Sequence, residues 1–167
     1  MLFGLAKIIG NTGSRATFSL QPDFSDMDFG NCRPVGPVLA EGYVENKAGV
    51  LLLEAEISAE IQGVCDRCTS EFFRKVNIPV HAVLETDPDS AQPDDIWTFS
   101  VTGDAVDLEE IVRTAFVFGI DSKMLCKPDC KGLCCHCGAD LNLGPCDCKP
   151  EPDARFDVLR QWLENNK

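Results

Sequence analysis

No apolar run in this chain approaches the roughly 20 residues a helix needs to cross a bilayer, so no membrane partner is expected. Positive charge is scarce. Fifteen Lys and Arg stand against 27 Asp and Glu, for a net charge of −12 and a pI of about 4.5. Proteins that hold nucleic acid by neutralising phosphates usually show a basic face. Any RNA contact here must therefore be local, or pass through a protein partner. Histidine is nearly absent, with only His81 and His136, and no Ser/His/Asp pattern, glycine-rich phosphate loop or carboxylate pair joins them. No catalytic residue and no small-molecule substrate are assigned. The apolar start "MLFGLAKIIG" carries Lys7 inside the run, and no A-x-A-like site follows. It reads as an amphipathic segment packed on the body or a partner, not as a signal peptide.

Cysteine is what the chain has in abundance. Of ten, seven fall within the 23 residues "CKPDCKGLCCHCGADLNLGPCDC", Cys126 to Cys148. With no secretion signal read, a reducing, cytoplasmic location is expected, where clustered thiols serve more often as metal ligands than as disulfides.

The first two-thirds of the chain reads as β structure. "RATFSL" (15–20) is a strand and "DFSDMDFGNCRPVGP" (23–37) a Gly/Pro-punctuated loop. Further on, Leu51, Leu53, Ala55, Ile57, Ala59 and Ile61 alternate with Glu54, Glu56, Ser58, Glu60 and Gln62. That period of two marks a strand with one buried face. "ENKAG" (45–49) supplies the turn into it from "VLAEGYVEN". A second run puts Phe72, Val76, Ile78, Val80, Ala82 and Leu84 on one face, with Arg74 the exception. Pro79, on the other face, marks an edge or a bulge. "ETDPDSAQPDD" (85–95) reads as a mobile acidic loop, and "IWTFSV" (96–101) as one more strand.

"DLEEIVRTAFVFG" (107–119) reads as a helix, with Asp107 as N-cap, Glu110 completing a capping box and Gly119 as the stop. Phe156, Leu159 and Leu163, with Trp162 beside them, mark a short amphipathic terminal helix. The fold class is α+β: an antiparallel β-rich body with one main helix, a Cys-rich zinc module and a short C-terminal helix. The boundaries read as a body over 1–120, a metal-binding module over 121–150 packed on it, and a helix over 151–167.

The thiol spacings are Cys65-x2-Cys68, Cys126-x3-Cys130-x3-Cys134-x2-Cys137 and Cys146-x-Cys148. Cys135 lies inside one step and Cys32 stands alone, so eight thiols remain, enough for one or two Zn2+ ions in closed four-thiolate sites. A C-x2-C turn presents two sulfurs to one metal, and Gly138 after Cys137 tolerates the positive φ such a knuckle needs. Cys134, Cys137, Cys146 and Cys148 form the natural quartet, and Cys65, Cys68, Cys126 and Cys130 the second. A single site uniting Cys65 and Cys68 with Cys134 and Cys137 is the rival partition. The C-x3-C-x2-C run of Cys130, Cys134 and Cys137 matches the spacing of radical enzymes that hold an iron–sulfur cluster, so an iron–sulfur or redox-active protein is the alternative. A redox sensor that releases zinc on thiolate oxidation is a third reading. His136 could replace a thiol, though a solvent-facing loop residue is the simpler reading. Arg67, between two ligands, and Arg74 with Lys75 are the local candidates for phosphate or partner contact.

"CDRCTSEF", "DLEEIVRTAFVFGIDSKMLC" and "CKGLCCHCGADLN…CDC" together resemble the YceD family, the large ribosomal RNA subunit accumulation proteins. The opening "LAKIIGNTGSRATFSL" is similar to the start of its Gram-positive-type members. The resemblance implies a non-enzymatic role in making, processing or stabilising 23S ribosomal RNA. It implies as partner the pre-ribosomal large subunit, met through RNA or through a basic ribosomal protein. By motif position it carries over Cys65, Arg67, Cys68, Cys126, Cys130, Cys134, Cys137, Gly138, Asn142, Cys146 and Cys148. Cys135 departs from a proline and Thr69 from a leucine that are common in the family.

Overall fold

The computed structural model describes residues 1–27, 29–86, 97–148 and 154–165. The two alternating runs become β5 (Val50–Val64) and β6 (Glu71–Glu85), 15 residues each, paired antiparallel from Leu51↔Leu84 to Val64↔Glu71. Their inward residues, among them Leu53, Ile57, Ile61, Ile78, Val80 and Leu84, are buried in the core. β4 (Leu39–Lys47) pairs with the first half of β5, and β2 (Arg15–Leu20) lies outside it. The sheet order is β2-β4-β5-β6-β7, with a short β3 (Cys32–Pro34) beside the second half of β5. β1 (Leu2–Gly4) pairs with β8 (Ala105–Asp107) as a separate ribbon.

Two elements depart from the sequence reading. β3 lies inside the stretch read as a loop, because three residues ending in proline are too few for alternation to register. β7 (Trp97–Ser100) pairs parallel to the end of β6, at Ala82↔Trp97 to Glu85↔Ser100, in an otherwise antiparallel sheet. A parallel neighbour needs a long connection, and residues 86–96 supply it; the acidic stretch read there lies, from residue 87, outside the described residues. β7 stops short of Pro79, which therefore sits where β6 forms the sheet edge and its missing N–H leaves no bond unmade.

The amino-terminal segment folds back as α1 (Ala6–Ile9), burying Leu5 and Ile8. Asn46, fully buried, holds it there. Its side-chain amide donates to the Ile8 and Ile9 carbonyls at 2.8 and 2.9 Å and accepts from the Gly49 N–H at 2.9 Å. The β4–β5 turn is accordingly tighter than 45–49, with only Ala48 and Gly49 outside the strands.

α2 (Leu108–Gly119) starts at Asp107, whose carboxylate accepts from the Glu109 N–H at 3.0 Å, and buries Leu108, Ile111, Val112, Ala115 and Phe116 against the sheet. The helix ends at Gly119 as read, but without a left-handed glycine cap; Ile120 caps it in an extended conformation. The glycine also serves packing, since a Cβ there would collide with the Ile78 side chain. α2 can thus press onto β6 and deliver residues 120–124 to the far end of the β5–β6 hairpin. A 3₁₀ turn (Ala154–Phe156) leads into α3 (Asp157–Asn165), where Phe156, Leu159 and Leu163 are all more than half exposed. No helix among the described residues is long and apolar enough to cross a membrane.

Candidate metal centres

Between β5 and β6 the chain turns through Cys65-Asp66-Arg67-Cys68. The Thr69 N–H donates to the Cys65 carbonyl at 2.8 Å and the Cys65 N–H to the Ser70 carbonyl at 2.9 Å. The turn closes only because Thr69 takes φ 60°, a left-handed conformation costly for a β-branched residue. Cys134 to Cys137 repeats this geometry: the Gly138 N–H donates to the Cys134 carbonyl at 2.9 Å and the Cys134 N–H to the Ala139 carbonyl at 2.8 Å, with Gly138 at φ 72°. Two distant segments therefore form the same knuckle, one closed by glycine and one by threonine.

Each knuckle meets a second pair of thiols. Cys65, Cys68, Cys126 and Cys130 converge at an inner centre, and Cys134, Cys137, Cys146 and Cys148 at an outer one. In each group the four sulfurs lie within 4.8 Å of one another. At the inner centre Cys65 Sγ is 3.7 Å from Cys130 Sγ, and Cys68 Sγ is 3.6 Å from Cys126 Sγ. Four sulfurs at about 2.3 Å from one tetrahedral ion stand about 3.8 Å apart, so the arrangement fits a single metal ion. A disulfide, with sulfurs about 2 Å apart, is not formed, and all ten cysteines are free. An iron–sulfur cube places its cysteines on separate irons around an inorganic core, which needs wider spacing than this.

The electrostatics show what four converging thiols require. Burial pushes the Cys65 thiol up, but the backbone N–H groups of Cys126, Cys68 and Arg67 outweigh it and bring it down to about 6. Burial and the neighbouring sulfurs push Cys126 up to about 12. The outer centre repeats the split. N–H groups of Cys137 and His136 lower Cys134 to about 6, while Cys137 and burial raise Cys148 to about 12. Cys68 is lowered as well, chiefly by the Ser70 hydroxyl. Each group thus sets a thiol that ionises readily beside one that resists, Cys126 or Cys148, an opposition that a cation at the centre removes.

The residues between the inner ligands fasten the module. The Asp66 N–H donates to the Met124 carbonyl at 2.8 Å, and the Asp66 carboxylate accepts from the Met124 N–H at 2.7 Å and from Asn31 at 2.8 Å. Arg67 donates through Nη1 to the Cys130 carbonyl at 2.7 Å, and its own carbonyl accepts from the Leu133 N–H at 3.0 Å. Asp66 went unremarked in the sequence, where the only signal is a short carboxylate in the middle of a knuckle. Asn142, from the outer loop, donates through Nδ2 toward Cys130 Sγ at 3.4 Å and accepts from the Lys131 N–H at 2.9 Å.

The other residues singled out in the sequence lie apart. Arg74 points inward from β6 and donates to Asp121 at 2.8 Å and toward the Met124 sulfur at 3.8 Å. Lys75 faces solvent, opposite Glu60. Cys32 is buried in β3 with its thiol pushed up by burial, Cys135 is exposed, and His81 faces out from β6. His136 contributes its backbone N–H to Cys134 Sγ at 3.4 Å and is outside the ligand group. The C-x3-C-x2-C triplet is split, with Cys130 at the inner centre and Cys134 and Cys137 at the outer. The triplet read for an iron–sulfur cluster is thus not brought to one centre, and neither are the two C-x2-C pairs of the rival partition.

The family model for the large ribosomal RNA subunit accumulation protein YceD matches residues 53–162, a stretch that takes in all eight converging cysteines. The chain belongs to the YceD family. Among its relatives, the chloroplast "Large ribosomal RNA subunit accumulation protein YCED homolog 1" of Zea mays is 25% identical over 154 aligned residues, covering 74% of this chain and 53% of its own length. Uncharacterized proteins of Mycobacterium bovis and Mycobacterium tuberculosis are 29% identical over 125 residues, covering 72% of this chain and 59% of their own length. The chain thus spans little more than half the length of these relatives. No solved structure matches it.

Proposed function

We propose that this chain is a zinc-stapled, non-enzymatic factor supporting the synthesis, processing or stability of 23S ribosomal RNA during assembly of the large ribosomal subunit, in the cytoplasm. Family membership carries the reading, because the matching description is that of a large ribosomal RNA subunit accumulation protein. The maize relative bears the same description in its name.

The four-thiolate sets favour Zn2+, which takes closed tetrahedral thiolate sites and has no redox chemistry of its own. Held by Cys65, Cys68, Cys126 and Cys130, the inner ion would bind the tip of the β5–β6 hairpin to the exit of α2. Residues 1–120 then act as the body, 121–150 as a module clamped to it, and 151–167 as a terminal helix.

The charge distribution favours a basic ribosomal protein as the direct contact. Each zinc–thiolate quartet carries net −2. The solvent face of the sheet adds Glu41, Glu54, Glu56 and Glu60, with Glu41 directly opposite Glu56. Such a surface steers a cationic partner and repels bare phosphate. Arg67 and Arg74 are engaged within the fold, which leaves Lys75 as the outward-facing cation of the three.

Depleting the protein and profiling ribosomes on a gradient tests the role. The reading requires a deficit of large subunits and of 23S relative to 16S RNA. An unchanged profile, with no cosedimentation of the protein with large-subunit precursors, would sink it. Elemental analysis of protein purified without added metal tests the zinc; iron and a brown colour would contradict it.

A further inference from the structure

The two centres differ in shelter. At the inner one Cys65, Cys68 and Cys130 are buried and Cys126 half-buried; at the outer one only Cys134 is buried, Cys146 and Cys148 are half-buried and Cys137 is exposed. They also touch. The loop that carries the outer ligands, between Cys137 and Cys146, bends back over the inner ones. Leu133 bridges to Asp140, the Leu141 N–H donates to the Gly132 carbonyl at 2.9 Å, and Asn142 reaches Cys130 Sγ through Nδ2 at 3.4 Å. Asn142 is fixed from its own side, because the Asp140 carboxylate accepts from its backbone N–H at 2.9 Å and from Nδ2 at 2.7 Å. An inner ligand thus receives a hydrogen bond from a residue whose position depends on the outer loop.

We propose that the two metal centres are energetically coupled through Asn142, a positioning residue, so that an ion in the outer centre strengthens retention of the ion in the inner one. The inference rests on the metal reading above and adds the dependence between sites. An N–H donated to a metal-bound thiolate offsets part of its excess charge and fixes its lone pairs. Removing such an outer partner typically weakens metal binding by about 10–100-fold. An ion held by Cys137, Cys146 and Cys148 tethers both ends of the loop and keeps Asn142 in place. Losing that ion frees the loop and with it the bond to Cys130. Coupling of this kind is reciprocal in binding free energy, so the inner ion also favours occupation of the outer centre.

The test uses the full chain loaded with Co2+, whose thiolate-to-metal absorption reports each centre, with release followed under excess chelator. The intact protein should lose its ions in two phases, the outer first. The double variant Cys146→Ser/Cys148→Ser, which retains the inner ligands, should release its remaining ion about 10–100-fold faster than the inner phase of the intact chain. Asn142→Ala should accelerate the inner phase similarly. Combining it with the double variant should add little, since both remove one interaction.

Asn142→Asp separates positioning from plain structure. It keeps an acceptor for the Lys131 N–H and lacks the donor to Cys130, so it should behave like Asn142→Ala and shift the inner-centre absorption. Rescue by aspartate, or an inner phase unchanged by loss of the outer ligands, overturns the coupling while leaving two bound ions intact. Failure of the wild-type chain to bind two ions overturns the metal reading itself, and the coupling with it.

Discussion

Asp66 and Met124 hold each other from both sides: the Asp66 N–H donates to the Met124 carbonyl, and the Asp66 carboxylate accepts from the Met124 N–H. This clasp stands immediately beside the inner centre, so part of the docking of the exit from α2 is independent of any ion. Replacing Asp66 with alanine removes an acceptor for the Met124 N–H and for Asn31. We expect a loss of about 1–3 kcal/mol in denaturant unfolding of the metal-loaded protein, with metal content unchanged. An unaltered midpoint would show that the clasp contributes nothing.

The two knuckles permit a paired comparison. A left-handed residue other than glycine costs about 1–2 kcal/mol, so Gly138→Ala should lower stability by that amount. Thr69→Gly relieves the same strain, offset by about 0.5–1 kcal/mol of added chain entropy. It should be neutral to mildly stabilising, measured as a shift in thermal midpoint. If glycine at 69 costs as much as alanine at 138, the knuckles are not equivalent.

Asn46 links α1 to the β4–β5 turn through three hydrogen bonds. Asn46→Leu is close in volume but leaves the Ile9 carbonyl and the Gly49 N–H without that partner, while the Ile8 carbonyl keeps the Asn11 N–H at 3.1 Å. Each buried unsatisfied group costs about 1–3 kcal/mol, so chemical denaturation should register a loss of at least about 2 kcal/mol. Early amide exchange at residues 8–13 should accompany it. A smaller loss with protected amides would refute this role.

The metal-free protein should have a stability maximum in alkali. Cys65 and Cys134 fall from an ordinary value of 9.0 to about 6, so from pH 6 to 9 the unfolded chain binds more protons there and stability rises with pH. Cys126 and Cys148 rise from 9.0 to about 12, so above pH 9 the unfolded chain binds fewer protons and stability falls again. Denaturation midpoints between pH 5 and 11, with and without Zn2+, check this. A flat metal-free profile contradicts the assigned directions. With metal bound, these thiols no longer titrate in that range and the maximum should disappear.

The long strands were readable because each buries one face only, which writes a period of two into Leu51–Ile61 and Ile78–Leu84. The start of α2 was readable from Asp107, a local signal. What escaped the sequence depends on partners far along the chain. Gly119 reads only as a stop until Ile78 is seen beneath it. Asn46 looks like a turn residue until α1 lies against it, and three residues of β3 have no pattern to show. Cysteine spacing says which thiols can share a turn but leaves open which pairs meet. The path of α2 decides that, by carrying residues 126–130 to the hairpin tip.

The inner centre joins residues 65 positions apart, Cys65 to Cys130. During synthesis, the hairpin tip leaves the peptide exit with half of a ligand set and waits until the helix and the following turn have been made. The ring can close only once residue 130 has been made. Capture of an ion by the first two thiols alone would be weak and reversible, so a firmly held ion would report that the helix and the turn after it are in place.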